Sequence, residues 1–184
     1  MYVKISVYVK LSLQRNADTR ANSIVDKQPI QEQINMTTAE KYVLPSEEQL
    51  SNAQKVVQRF AMEWQNPVAE NLRVLMHEDT QNLIPPMTEP ADREGVVEHF
   101  RQVLTQLPDL KVDVLQWAPT GDAVMIEWQA SATVAGQPLS WQGVDRFNVR
   151  GDRMYKGQVY WDTRRVAEQM AEAVKRAQQN GSAG

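Results

Sequence analysis

From Leu139 to Val149 the chain alternates so that one acid is set apart. Leu139, Trp141, Gly143, Asp145, Phe147 and Val149 share one side of an extended segment, and Ser140, Gln142, Val144, Arg146 and Asn148 share the other. The first side is apolar, and the Asp145 carboxylate sits on it. An unpaired buried carboxylate is costly, so it must be paired, solvated within a cavity, or held protonated with a raised pKa. A carboxyl poised in an apolar hollow is equipped for general acid–base chemistry. The plainer reading is a structural acid paired with a helix or a neighbouring strand. Arg146 is the tempting partner, but in a regular strand it points the other way.

Other residues could share such a site. Val124, Ile126, Trp128, Ala130, Ala132 and Val134 form a second apolar strand face. Trp128 and Trp141 are either plain core or the aromatic wall of a pocket for a flat, apolar ligand, with Phe147 beside them. Gly143 gives either a bend in the sheet or room for that ligand. Asp162 stands just before Thr163-Arg-Arg-Val, where it can cap a helix or serve as a second pocket acid. On strict alternation Asp162 lies with Tyr160, Gln158 and Lys156, opposite Trp161, Val159, Gly157 and Tyr155. Either a bulge resets that phase, or Trp117, Tyr155 and Trp161 make an aromatic outer face suited to dimerisation. Tyr160 either packs or donates a proton to Asp162 or a ligand. Asn82, in a proline-rich loop, reads as a turn residue, and His99 falls on the polar side of its helix, where it is expected to be solvated.

Composition narrows the classes. With no cysteine among 184 residues, disulfides, zinc ribbons and thiol chemistry are excluded. His77 and His99 lack metal-ligand spacing, and neither a metal nor a cofactor is expected. A net charge of -3 and a pI near 5.5 argue against a nucleic-acid partner. No apolar run approaches the roughly 20 residues of a membrane span. The expectation is a soluble, cytoplasmic protein whose partners are a small apolar molecule and a second copy of itself.

Three segments follow from the patterning. Residues 1–44 are expected to be a disordered or spurious extension: Val3 to Leu13 alternates like a strand, and Gln14 to Lys41 is polar and aperiodic. Translation either starts at Met36 or includes a genuine flexible lead-in. Residues 45–178 form the folded domain, and 179–184 a flexible tail. In the domain Ser46 and Gln49 make a capping box for a helix bearing Leu50, Ala53, Val56, Val57, Phe60, Ala61 and Trp64 inward. A short helix after Asn66-Pro67 buries Val68, Leu72 and Leu75, and a third carries Val96, Val97, Phe100, Val103 and Leu104. Four strands then alternate with turns at Gly121, Gly136 and Gly151, and a last helix, Thr163 to Gln178, places Val166, Ala167, Met170, Ala171 and Val174 inward. Helices before an antiparallel meander indicate an α+β domain with helices on one face of a curved sheet.

This order of elements, with Trp141-Gln-Gly-Val-Asp-Arg-Phe147 and Tyr160-Trp-Asp162, resembles the nuclear-transport-factor-2-like superfamily over roughly residues 47–175. Within it the chain is most similar to the SnoaL-like group, which includes limonene-epoxide-hydrolase-like and ketosteroid-isomerase-like enzymes. The resemblance implies a cone, in which a strongly curved antiparallel sheet, three N-terminal helices and a C-terminal helix enclose an apolar cavity, usually in a homodimer. It also implies that Asp145 and Asp162 match the acid and base carboxylates of the epoxide-hydrolase branch, and that Asn82 matches a ligand of the attacking water. Gly143 stands where that branch has arginine, and Thr80 where it has tyrosine. Two carboxylates without a cation between them would share one proton. The implied activities are isomerisation, cyclisation or hydration of an oxygenated metabolite; the alternatives are a non-catalytic binding or accessory protein and a structural dimer with a filled cavity.

Overall fold

Ser46 begins the fold where a capping box was expected. Its Oγ accepts from Gln49 N at 3.1 Å while Gln49 Oε1 accepts from Ser46 N at 2.8 Å, which starts helix α1 (Glu47–Glu63). The structure, a computed structural model, describes residues 44–181; the readings for residues 1–43 and for the tail after 181 lie outside the described residues. Ala53, Val56, Val57 and Phe60 bury one face of α1, and Trp64 closes it. Leu50, expected on that face, is 44% exposed at the start of α1.

The short second helix is 3-10, Ala69–Leu75, and buries Ala69, Leu72 and Leu75; Val68 lies just before it and faces solvent. Strand β1 (Met76–Leu83) follows, with Met76, Thr80 and Asn82 buried and a register break between Met76 and Gln81. Asp92 caps helix α2 (Arg93–Gln106), its Oδ1 accepting from Gly95 N at 2.8 Å.

The meander comprises β2 (Lys111–Thr120), β3 (Ala123–Val134), β4 (Gln137–Arg150) and β5 (Arg153–Trp161). Ala135 and Gly136, with φ of 49° and 76°, form the two-residue turn joining β3 to β4. The sheet order is β1-β5-β4-β3-β2. The expected antiparallel sheet therefore gains one parallel pair, β1 with β5. The edge strand β1 is joined to β5 through the rest of the domain, so no hairpin dictates their relative direction. The α+β expectation holds: among the described residues four helical segments accompany a curled, unclosed sheet.

Helix α3 (Thr163–Gly181) runs past the expected end at Gln178 and, among the described elements, touches only β3 and β4. Val166 and Ala173 are buried and Met170 is partly so, while Ala167, Ala171 and Val174 point outward, contrary to the expected inward set. Contact with two strands covers a narrower stripe than a helix laid across a whole sheet. No helix of the described residues is long and apolar enough to cross a membrane.

Candidate functional site

Strand pairing determines what Asp145 faces. Across β3–β4, Asp145 stands opposite Ile126, Gly143 opposite Trp128, and Trp141 opposite Ala130. Across β4–β5, Asp145 stands opposite Val159 and Gly143 opposite Trp161. Directly paired residues share a face, so these side chains converge inside the curl. Asp145, Trp128, Ala130, Trp141, Val159 and Trp161, together with Phe60 of α1, its C-cap Trp64, Phe100 of α2 and Met170 of α3, line a cavity of about 260 Å³. A deeper void of about 50 Å³ adds Asn82, Phe147 and Met154 to several of the same walls, and Asp145 borders both spaces. Tilted and edge contacts of Phe60 with Trp64 and Phe147, and of Trp64 with Phe100, fix the aromatic frame from α1, α2 and β4.

Asp145 is 5% exposed, and its Oδ1 has no hydrogen-bond partner. Burial pushes its carboxyl up from 3.8 to about 7; the neighbouring Trp128 indole favours the anion and offsets part of this. Trp128 Nε1 nevertheless stops short of hydrogen-bond geometry and is itself unpartnered, as is Trp64 Nε1. Arg146 turns away, as regular alternation requires, and its Nη1 donates to Asn148 Oδ1 at 2.9 Å. The acid therefore has no counter-ion among the described residues.

At Gly143 the fold leaves no room for a side chain. A Cβ at 143 would lie 2.3 Å from Trp128 Cζ2 and 2.8 Å from the Tyr160 carbonyl oxygen. The indole has taken the space a longer residue would need. Gly143→Ala should thus cost about 1–3 kcal/mol, read as a lower urea midpoint; an unchanged midpoint would mean that the indole swings aside freely.

The remaining candidates separate. Asn82 is 3% exposed on β1 instead of in a turn. Its Nδ2 donates to Thr80 Oγ1 at 3.0 Å, and its unpartnered Oδ1 borders the deeper void close to Gly157. Phe147 lines that void as well, away from the larger cavity. Asp162 caps α3: its Oδ1 accepts from Arg165 N at 2.9 Å, and its carbonyl accepts from Val166 N at 3.2 Å. It borders a separate polar hollow of about 240 Å³ with Gln129, Ser140, Gln142 and Arg165, and Trp141 borders both that hollow and the Asp145 cavity. Tyr160 pairs with Val144 on the convex face and is 52% exposed, so it does not line the cavity.

The aromatic outer face is corrected. Trp161 lines the cavity, Trp117 packs on the core, and the Tyr155 hydroxyl donates to Asp122 Oδ2 at 3.0 Å. A register break between Asn148 and Val149 resets β5 relative to strict alternation. His99, expected in solvent, instead lines the cavity and meets Phe100 edge-on at 5.1 Å; burial lowers its pKa. A readable sign was its place three residues after Val96 and four before Val103, inside a stripe wider than the apolar letters alone. Among the described residues no three His, Asp or Glu side chains gather into a metal site.

A family model for the SnoaL-like domain matches residues 57–156, more than half of the chain. The chain belongs to the SnoaL-like domain family. No curated protein sequence matches it significantly. Solved structures similar to this SnoaL-like domain include wild-type IdmH from Streptomyces antibioticus, provisionally assigned as a polyketide cyclase, at 20% identity and a TM-score of 0.58 over 67% of this chain and 98% of that one. TerC co-crystallized with polyporic acid aligns at 16% identity and a TM-score of 0.58, over 65% and 98%. A Catenulispora acidiphila protein with a ketosteroid isomerase-like fold, in complex with trimethylamine, aligns at 18% and 0.54, over 59% and 85%.

Proposed function

We propose that this SnoaL-like domain binds an apolar, oxygen-bearing small molecule in the Asp145 cavity and moves a proton on it. The observation that carries this reading is the desolvated, unpaired Asp145 carboxyl beside an open apolar space. A group titrating near neutrality can both take and give a proton at working pH, as acid–base catalysis requires. Trp128 and Trp141 supply flat walls for the ligand, and solved proteins of the same fold include provisionally assigned polyketide cyclases. We assign isomerisation or cyclisation ahead of hydration, because Asp162 is engaged as a helix cap and borders another hollow. For hydration, the unpartnered Asn82 Oδ1 and Asp145 Oδ1 border the deeper void, and a space of that size admits water.

A cytoplasmic homodimer across the convex face completes the proposal, supported by the outward Tyr160 beside Val144. The second reading is a binding protein without turnover, favoured by the single acid in the cavity.

Titration of Asp145, followed by its carboxyl carbon, tests the reading and should give a midpoint near 7. A midpoint below 4 would remove the proton-transfer role. With the ligand identified by native mass spectrometry, Asp145→Asn should keep binding and lose about 10²–10⁴-fold in turnover. Binding without turnover in the wild type would select the second reading.

A further inference from the structure

Of the described side chains lining the 260 Å³ cavity, only Asp145 and His99 ionise. They differ in depth: Asp145 also borders the inner void, whereas His99 borders the outer space alone. His99 is half-buried on α2, and neither imidazole nitrogen has a hydrogen-bond partner among the described residues. Both nitrogens stay accessible to the cavity or to water, and the ring meets the edge of Phe100. Because burial disfavours its charged form, the ring offers one N–H donor and one bare nitrogen acceptor. That combination suits a hydroxyl or an enol.

We propose that His99 is the second polar anchor of the cavity, and that the ligand is a flat apolar molecule carrying two separated oxygen functions, one met by Asp145 and the other by His99. The proposal rests on the reading of Asp145 given above. The indole walls provide the apolar contact between the two poles, with Trp128 and Trp141 both bordering the same space. A ligand with one oxygen would dehydrate whichever polar group it leaves unmet, so the site should discriminate by oxygen count more than by apolar bulk.

Calorimetric titration with 2-naphthol, 2,6-dihydroxynaphthalene and 1,5-dihydroxynaphthalene tests this, with circular dichroism confirming that each variant is folded. In the wild type the better diol should bind about tenfold more tightly than 2-naphthol, the worth of one good hydrogen bond. In His99→Leu that ratio should fall to within about twofold, and His99→Gln, which keeps a donor and an acceptor, should retain about threefold. Asp145→Leu should weaken mono-ol and diol alike. A diol preference that survives His99→Leu, with both ligands still sensitive to Asp145→Leu, overturns the His99 anchor and leaves the Asp145 reading standing. Binding indifferent to Asp145→Leu, or no naphthol binding at all, overturns both.

Discussion

At pH 8 the Asp145→Asn protein should outlast the wild type on heating by roughly 10 °C, even though it discards the group assigned to chemistry. The reason is linkage. Below pH 3.8 the folded and unfolded chains both hold the proton at this position. Between 3.8 and about 7 the unfolded chain releases it while the folded chain keeps it, so stability falls as pH rises through that window and levels off above it. At about 1.4 kcal/mol per pKa unit, the cost of the buried acid is about 4 kcal/mol at pH 8 and about 1–2 kcal/mol at pH 5. Asparagine has nearly the same shape and cannot ionise. The difference between the two proteins should therefore shrink by roughly half or more on going from pH 8 to pH 5. Melting curves at the two pH values read it directly. Equal midpoints at pH 8 would mean that the carboxylate is paired or hydrated after all.

Trp128 carries the second large effect. It is 7% exposed and its ring fills the space over Gly143. Trp128→Ala should cost about 3–5 kcal/mol through lost apolar contact and the hole left behind. It should also remove the indole's share of the penalty for Gly143→Ala, leaving the 2.8 Å approach of the new Cβ to the Tyr160 carbonyl oxygen. The double variant should therefore be less destabilised than the two single costs added together, and strict additivity would refute the clash. Trp128→Phe separates packing from polarity. It keeps an aromatic wall but deletes the N–H that favours the anion, so the Asp145 midpoint should move upward from its wild-type value. A downward movement would mean that water enters the space and solvates the acid.

The sequence conveyed these two residues well, for a physical reason. A regular strand has one period, so letters alone placed Asp145 with Trp141 and Phe147, and Ile126 with Trp128. The start of α1 was equally legible, since Ser46 and Gln49 meet each other's backbone with no help from the rest of the fold. What failed depended on distant partners. β1 has no alternation to read, because its register breaks within the strand and it pairs with residues more than seventy positions away. Tyr155 left the set of Trp161, Val159 and Gly157 through a break in β4–β5 pairing between Asn148 and Val149, which periodicity on one strand does not encode. His99 was hidden because its letter is polar while its helix turns it inward. Ala167, Ala171 and Val174 misled in the opposite sense: an apolar stripe was present on α3, but the sheet covered the stripe next to it.

The lack of a counter-ion for Asp145 among the described residues reaches beyond its own titration. An oily guest would push aside whatever moisture still reaches the acid and raise its proton affinity further. At neutral pH, where about half of these carboxyls already hold the proton, filling the cavity should draw up to about half a hydrogen ion per molecule from the buffer, and emptying it should give that back. Loading and unloading would thus be coupled to the acidity of the medium, with tighter retention on the acidic side and easier discharge on the alkaline side.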